Sequence, residues 1–128
     1  FATCYAHTRI PAFQGAARAA WNYVFTHLPE DRVPFWDYAH PNIPDTYRDS
    51  SAAAVNACGL LEMASYEDFA DHLNVNAEGM IVSLYENYSS RGTNMPALLL
   101  HGSRSVPHLG SCRLRPRYLA GTRVGASP

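Results

Sequence analysis

The chain has 128 residues, with ten arginines and no lysine against eleven acids, a formal net charge of −1 and 47% hydrophobic residues. That length suits one domain able to bury a core, while no apolar run approaches the roughly 20 residues of a membrane span. Cys4, Cys58 and Cys112 are scattered and lack a C-x-x-C pair, so neither a disulfide framework nor a zinc site is indicated.

Phe1 opens within an amphipathic helical pattern. From Pro11 to Leu28 the apolar residues Phe13, Ala16, Ala17, Ala20, Val24 and Leu28 recur at steps of three and four, which predicts a one-faced helix with Pro11 in its first turn. Pro29, Pro34, Pro41 and Pro44 then fix φ and remove backbone donors, so this stretch is a long extended loop of the kind that usually carries function. Asp49 or Ser50 is placed to cap a helix running to about Met63. Its alanines make it slim, its N-terminal N–H groups are expected to stay open toward an anion, and Cys58 within it reads as a small buried residue.

Ser65, with Asp68 three residues on, resembles a capping box that opens a third helix. Phe69, Leu73, Ala77, Met80, Ile81, Leu84 and Tyr88 hold one face of it as far as the Ser89-Ser90-Arg91-Gly92 break, with Asn74 to Asn76 as a point where it could kink. Pro96 to His101 is a short apolar run, either a strand or an extended packing segment. All other regular structure is helical, so the residues alone predict a mostly α domain.

A sugar acid needs an aromatic face to stack on, a planar cation for its carboxylate and hydrogen-bonding groups for its hydroxyls. Trp36, Arg48 and the group Asp37, Asp49 and Ser50 offer these. Taken singly, Trp36 is also a loop-packing aromatic and Asp49 a plain helix cap. Six histidines, His7, His27, His40, His72, His101 and His108, lack metal-ligand spacing. Dinucleotide, P-loop and serine-hydrolase motifs are missing, and arginines do not alternate with aromatics as nucleic-acid binding would require. Asn87-Tyr88-Ser89 matches a glycosylation acceptor.

RVPFWDY followed by RDSSAAAVNACGLLEM resembles the C-terminal third of the unsaturated glucuronyl hydrolases, glycoside hydrolase family 88. NYSSRGTNMPALLLHG is similar to that family's loop ending in Leu-Leu-His-Gly, and FATCYAHTRI and THLPEDRVPFWDY follow the same order of elements. The likeness runs from Phe1 to about Gly102. It implies an all-α fold, part of an (α/α)6 helical toroid that is incomplete in this chain, with residues 1–107 as the C-terminal part of the ring. It also implies that faces meant for neighbouring helices are exposed and that the chain is a fragment, poorly soluble or unstable alone.

The activity implied is removal of the unsaturated uronic acid from lyase-generated oligosaccharides. A carboxylic acid protonates the C4=C5 vinyl ether and water adds at C5, and a raised pKa suits that acid to neutral pH. The family's catalytic aspartates lie in motifs upstream of the matched region, so no catalytic residue is assigned here. Trp36, Asp37, Arg48, Asp49, Ser50 and His101 are the candidate substrate contacts, with Arg48 pairing with Asp49 or a uronate. The implied partner is an unsaturated uronate-containing oligosaccharide, with no nucleic acid, no membrane and no cofactor, since water addition needs only acid, base and orientation. Two other readings stand beside it: a non-catalytic glycan-binding pseudoenzyme and a helical interaction module.

Residues 108–128 form an irregular basic tail unlike the family. From His101 onward the chain carries five arginines and no acid, whereas all eleven acids precede it. The expectation is an altered or misassigned frame after about Ser105.

Overall fold

The computed structural model describes residues 1–102. Within them run α1 (Ala2–Thr8), α2 (Pro11–His27), α3 (Ser50–Ala64) and α4 (Ala70–Ser83), the last continued by a π-helical turn, Leu84–Tyr88. Strand-like pairing among the described residues is confined to two isolated bridges, Phe35 with Arg48 and Ser89 with Leu99. The all-α expectation holds. The basic tail, Cys112, His108 and the frame change after Ser105 lie outside the described residues.

α2 begins with Pro11 as expected, where a missing N–H costs nothing. Its buried residues are Ala17 and Trp21, four apart on one face, whereas Ala20 of the expected stripe is exposed. α3 and α4 form an antiparallel hairpin joined by a short turn. Ala57, Leu60 and Met63 of α3 meet Leu73, Ala77 and Met80 of α4, with Trp21 completing the core. Alanine at 53 and 57 lets the two helices approach closely.

Several expectations are corrected. Cys58 is exposed, because it sits about 100° around the helix from Ala57, off the face that meets α4. Ser65 does not open α4. Its N–H and Oγ both donate to the Glu62 carbonyl, and the N–H groups of Tyr66 and Glu67 return to Met63. The serine therefore closes α3, and α4 starts after Phe69 without a side-chain cap.

The helix runs without a break through Asn74 to Asn76. Asn76 is buried and satisfied, accepting from Arg32 at 2.7 Å and donating to the His72 carbonyl at 2.7 Å. Phe69 and Ile81, expected on the buried face, are instead 41% and 47% exposed.

The polypeptide places its long segments together. The 28–49 loop and the 89–102 segment meet at the start of α3, where the Asp49 N–H donates to the Pro34 carbonyl and the Ser50 N–H to the His101 carbonyl. A smaller core of Val33, Ala53, Leu84 and Tyr88 seals this junction. Beneath the α3–α4 hairpin, the buried Glu67 accepts from Gln14 and Arg18 of α2. Elsewhere large apolar side chains face outward, among them Val55 (71% exposed) and Val75 (58%).

Candidate functional site

At the loop end, the chain ties itself together through Asp31. Its Oδ1 accepts from Arg48 Nη1 at 2.9 Å and from the Val33 N–H, while Oδ2 accepts from the Tyr88 hydroxyl at 2.7 Å. Arg48 also donates to the Val33 carbonyl, and its guanidinium lies over the Phe35 ring, 4.1 Å from the centroid. Of the two partners expected for Arg48, Asp49 is replaced by Asp31, because the Phe35–Arg48 bridge folds the loop back on itself and brings residues 31 and 48 together. Burial, reinforced by the bond to Asp31 and that carboxylate's charge, pushes the Tyr88 phenol up to about 12.

The entry into α3 is closed. Asp49 is the cap residue, its Oδ1 accepting from the N–H groups of Ser51 and Ala52 and from Ser51 Oγ. The Ser50 N–H donates to the His101 carbonyl at 3.1 Å, and the Ala53 N–H returns to the Asp49 carbonyl. The expectation of donors left open for an anion is therefore overturned: a cap and a crossing segment satisfy them. Ser50 itself is fully buried, its hydroxyl donating to the Leu100 carbonyl at 2.6 Å. It holds the 99–101 segment against the helix and offers no surface to a ligand.

His101 adopts a left-handed backbone, φ 62°. Its imidazole is exposed and meets the Tyr88 ring edge-on at 5.8 Å. Trp36 is half-buried, donates through Nε1 to Thr46 Oγ1 at 3.1 Å and lies against the His40 ring. Asp37 accepts from the Ala39 N–H in a local turn. Trp36 and Asp37 thus belong to one lobe of the loop. Arg48, Asp49, Ser50 and His101 belong to the knot that anchors it.

Sequence patterning missed Asp31 and Tyr88. Both stand next to motifs that were noticed, Asp31 before RVPFWDY and Tyr88 inside the glycosylation-like triplet, but their pairing spans 57 residues. Tyr38 was also missed: it reaches from the loop to both helices, accepting from Asn56 Nδ2 of α3 at 3.2 Å and meeting the Tyr23 ring of α2 at 5.8 Å. Among the described residues, no group of three or more His, Cys, Asp or Glu side chains could hold a metal ion.

No protein-family profile matches the chain. It is similar to the unsaturated glucuronyl hydrolase of Bacillus sp. (strain GL1), 38% identical over 79 residues, which is 59% of this chain and 21% of that protein. It is also similar to the unsaturated glucuronyl hydrolase of Formosa agariphila, 32% identical over 106 residues, 80% of this chain and 26% of the relative. Among solved structures, the unsaturated glucuronyl hydrolase of Streptococcus agalactiae superposes with a TM-score of 0.72 at 30% identity, covering 81% of this chain and 29% of that one. A mutant of it was solved with dGlcA-GalNAc6S, and matches with a TM-score of 0.63 at 32% identity over 79% of this chain and 28% of its own. The chain spans about a quarter of the length of the curated relatives it matches. These relatives are helical toroids, and this chain holds part of such a ring.

Proposed function

We propose that this chain, a relative of the unsaturated glucuronyl hydrolases of glycoside hydrolase family 88, forms one wall of a saccharide cleft at the loop end of its helices. The reaction served is hydrolysis of the unsaturated uronic acid at the non-reducing end of lyase-generated oligosaccharides, through hydration of the C4=C5 vinyl ether. The observation that carries this is the match, over most of the chain, to an enzyme solved with an unsaturated disaccharide.

Within the wall, Trp36 supplies an aromatic surface, Asp37 a carboxylate beside it, and the exposed His101 a hydrogen-bonding ring. Arg48, Asp49 and Ser50 hold these in place by fixing the loop and the 99–101 segment to α3. Arg48 engages Asp31 and the Val33 carbonyl through one nitrogen, which leaves its other donors for a uronate arriving along the loop.

Neither Asp31 nor Asp49, the carboxyl groups of the knot, is placed to act as the proton donor. Asp31 is ion-paired and Asp49 is occupied as a cap, whereas vinyl-ether protonation requires a carboxyl kept neutral near pH 7. The donor comes from another part of the ring, and this chain alone binds without turning over.

The test is isothermal titration of the chain with an unsaturated glucuronyl disaccharide, beside Trp36→Ala and His101→Ala. Saturable binding weakened by both substitutions supports the assignment, and the same affinity in all three proteins removes these residues from it. The outward-facing Val55 and Val75 favour a second role, contact with the remaining helices of the ring.

A further inference from the structure

Two residues past Trp36, the loop brings Tyr38 against α2 and α3, where four side chains meet without any role in the knot around Asp31. Tyr23 and His27, one turn apart at the end of α2, stack with ring centroids 4.2 Å apart and planes inclined by 28°. Tyr38 of the loop sets its ring edge-on to both, at 5.8 Å from Tyr23 and 6.3 Å from His27. Asn56 of α3 donates to the Tyr38 hydroxyl.

Each polar side chain of this cluster keeps hydrogen-bonding capacity beyond the bonds it makes within the protein. His27 Nδ1 lies 2.7 Å from the Tyr23 carbonyl, and a carbonyl only accepts, so Nδ1 carries the proton and Nε2 is left with a lone pair in the neutral ring. Tyr38 uses its oxygen as an acceptor for Asn56, which leaves its own proton to give. Neither Asn56 Oδ1 nor the Tyr23 hydroxyl has a hydrogen-bond partner among the described residues. Tyr23 is 49% exposed, so its ring is open to solvent over a broad area.

Aromatic bodies with polar tips, fixed in mutual orientation by a helix turn and a loop, suit a pyranose ring: C–H groups pack on the ring face while hydroxyls reach donors and acceptors at the rim. Charge selects the kind of sugar. No arginine belongs to the cluster, so it offers no cation for a uronate or sulfate and suits an uncharged unit.

We propose that Tyr23, His27, Tyr38 and Asn56 form an accessory saccharide subsite that takes an uncharged sugar unit of a longer oligosaccharide. The inference rests on the saccharide-cleft function proposed above and deepens it, since it makes chain length a determinant of affinity.

The test is calorimetric titration of the 128-residue chain with two probes. One is an unsaturated glucuronyl disaccharide, and the other an unsaturated tetrasaccharide that shares its first two units and continues with uncharged sugars. The expected result is about tenfold tighter binding of the tetrasaccharide, roughly the 1.4 kcal/mol of one good ring contact. Tyr23→Ala removes that gain without altering disaccharide affinity, and Tyr23→Phe keeps most of it. His27→Ala gives a second reading at the same surface. Equal affinity for the two probes, unmoved by either alanine variant, overturns the subsite and leaves the cleft standing. Failure to bind either probe overturns both. A Tyr23→Ala variant that changes sedimentation but not sugar affinity identifies a protein contact and overturns the subsite as well.

Discussion

The hydroxyl of Tyr88 donates to Asp31 Oδ2 at 2.7 Å, joining the last turn of the α4 extension to the start of the 31–48 loop. The same carboxylate holds Arg48 through its other oxygen, so one acid fixes both ends of the loop and the floor beneath it. Removing the hydroxyl leaves a charged acceptor short of a partner, and such bonds are worth about 1.5–3 kcal/mol. Tyr88→Phe is expected to destabilise the chain by that amount in urea unfolding and to speed hydrogen exchange across residues 31–48. An unchanged exchange pattern there would show that the loop is held by other contacts.

Tyr88 also sets an alkaline limit. Its phenol is pushed up to about 12 by burial and by Asp31, above the ordinary tyrosine value near 10. The unfolded chain therefore loses this proton first. Its contribution to stability is complete below pH about 10 and falls as pH rises through the window from about 10 to about 12. Tyr88→Phe should flatten the stability profile in that window, and an identical decline in both proteins would assign the alkaline limit to another group.

Glu67 makes the opposite prediction in acid. Its hydrogen bond from Arg18, aided by Gln14, holds the carboxyl below its ordinary value against the opposing effect of burial. That contribution is present above the ordinary glutamate value of about 4.3 and is lost as pH falls through the lower, folded value. Glu67→Gln should blunt the acid limb of a stability profile. A variant with the parent's acid profile would show that the pairing adds nothing at this end of the bundle.

Asp49 caps α3 with one oxygen, and replacing a capping aspartate by alanine costs about 0.5–2 kcal/mol. Asp49→Ala should lower the urea midpoint accordingly. The parent chain, with its first N–H groups already satisfied, should show no inorganic phosphate binding at α3. Phosphate shifts in the amide spectrum of Ser51 and Ala52 in the parent would contradict the closed cap.

Exposed Val55, Val75 and Leu98 leave apolar surface that a complete ring would cover. The isolated chain is expected to self-associate with rising concentration in sedimentation velocity. A monomer at every concentration would mean that these faces need no cover.

Helix content and the position of the Trp36 loop were legible because they rest on local signals: the prolines of the loop, the steps of three and four in α2, and the alanines of α3. A cap at Asp49 or Ser50 followed from their place before a helix former, and the structure gives the role to Asp49. The knot was not legible. Asp31 and Arg48 meet only when the loop folds back on itself, and Tyr88 joins them only when the α3–α4 hairpin closes, and no local pattern marks contacts of that span. Ser65 misled for a related reason, since a serine between two helices can end one or begin the next, and here the carbonyl of Glu62 claims its hydroxyl. Cys58 was misplaced because an alanine-rich helix hides which of its faces is buried until a partner helix chooses one.

The most direct measurement is incubation of the chain with an unsaturated glucuronyl disaccharide, following the ultraviolet absorbance of the C4=C5 double bond alongside calorimetric binding. The predicted result is saturable binding with the absorbance unchanged, as befits a cleft wall without its proton donor. Loss of the double bond at an ordinary enzymatic rate, about 1 per second or more, would place the donor within these 128 residues and contradict the division of labour proposed for the ring.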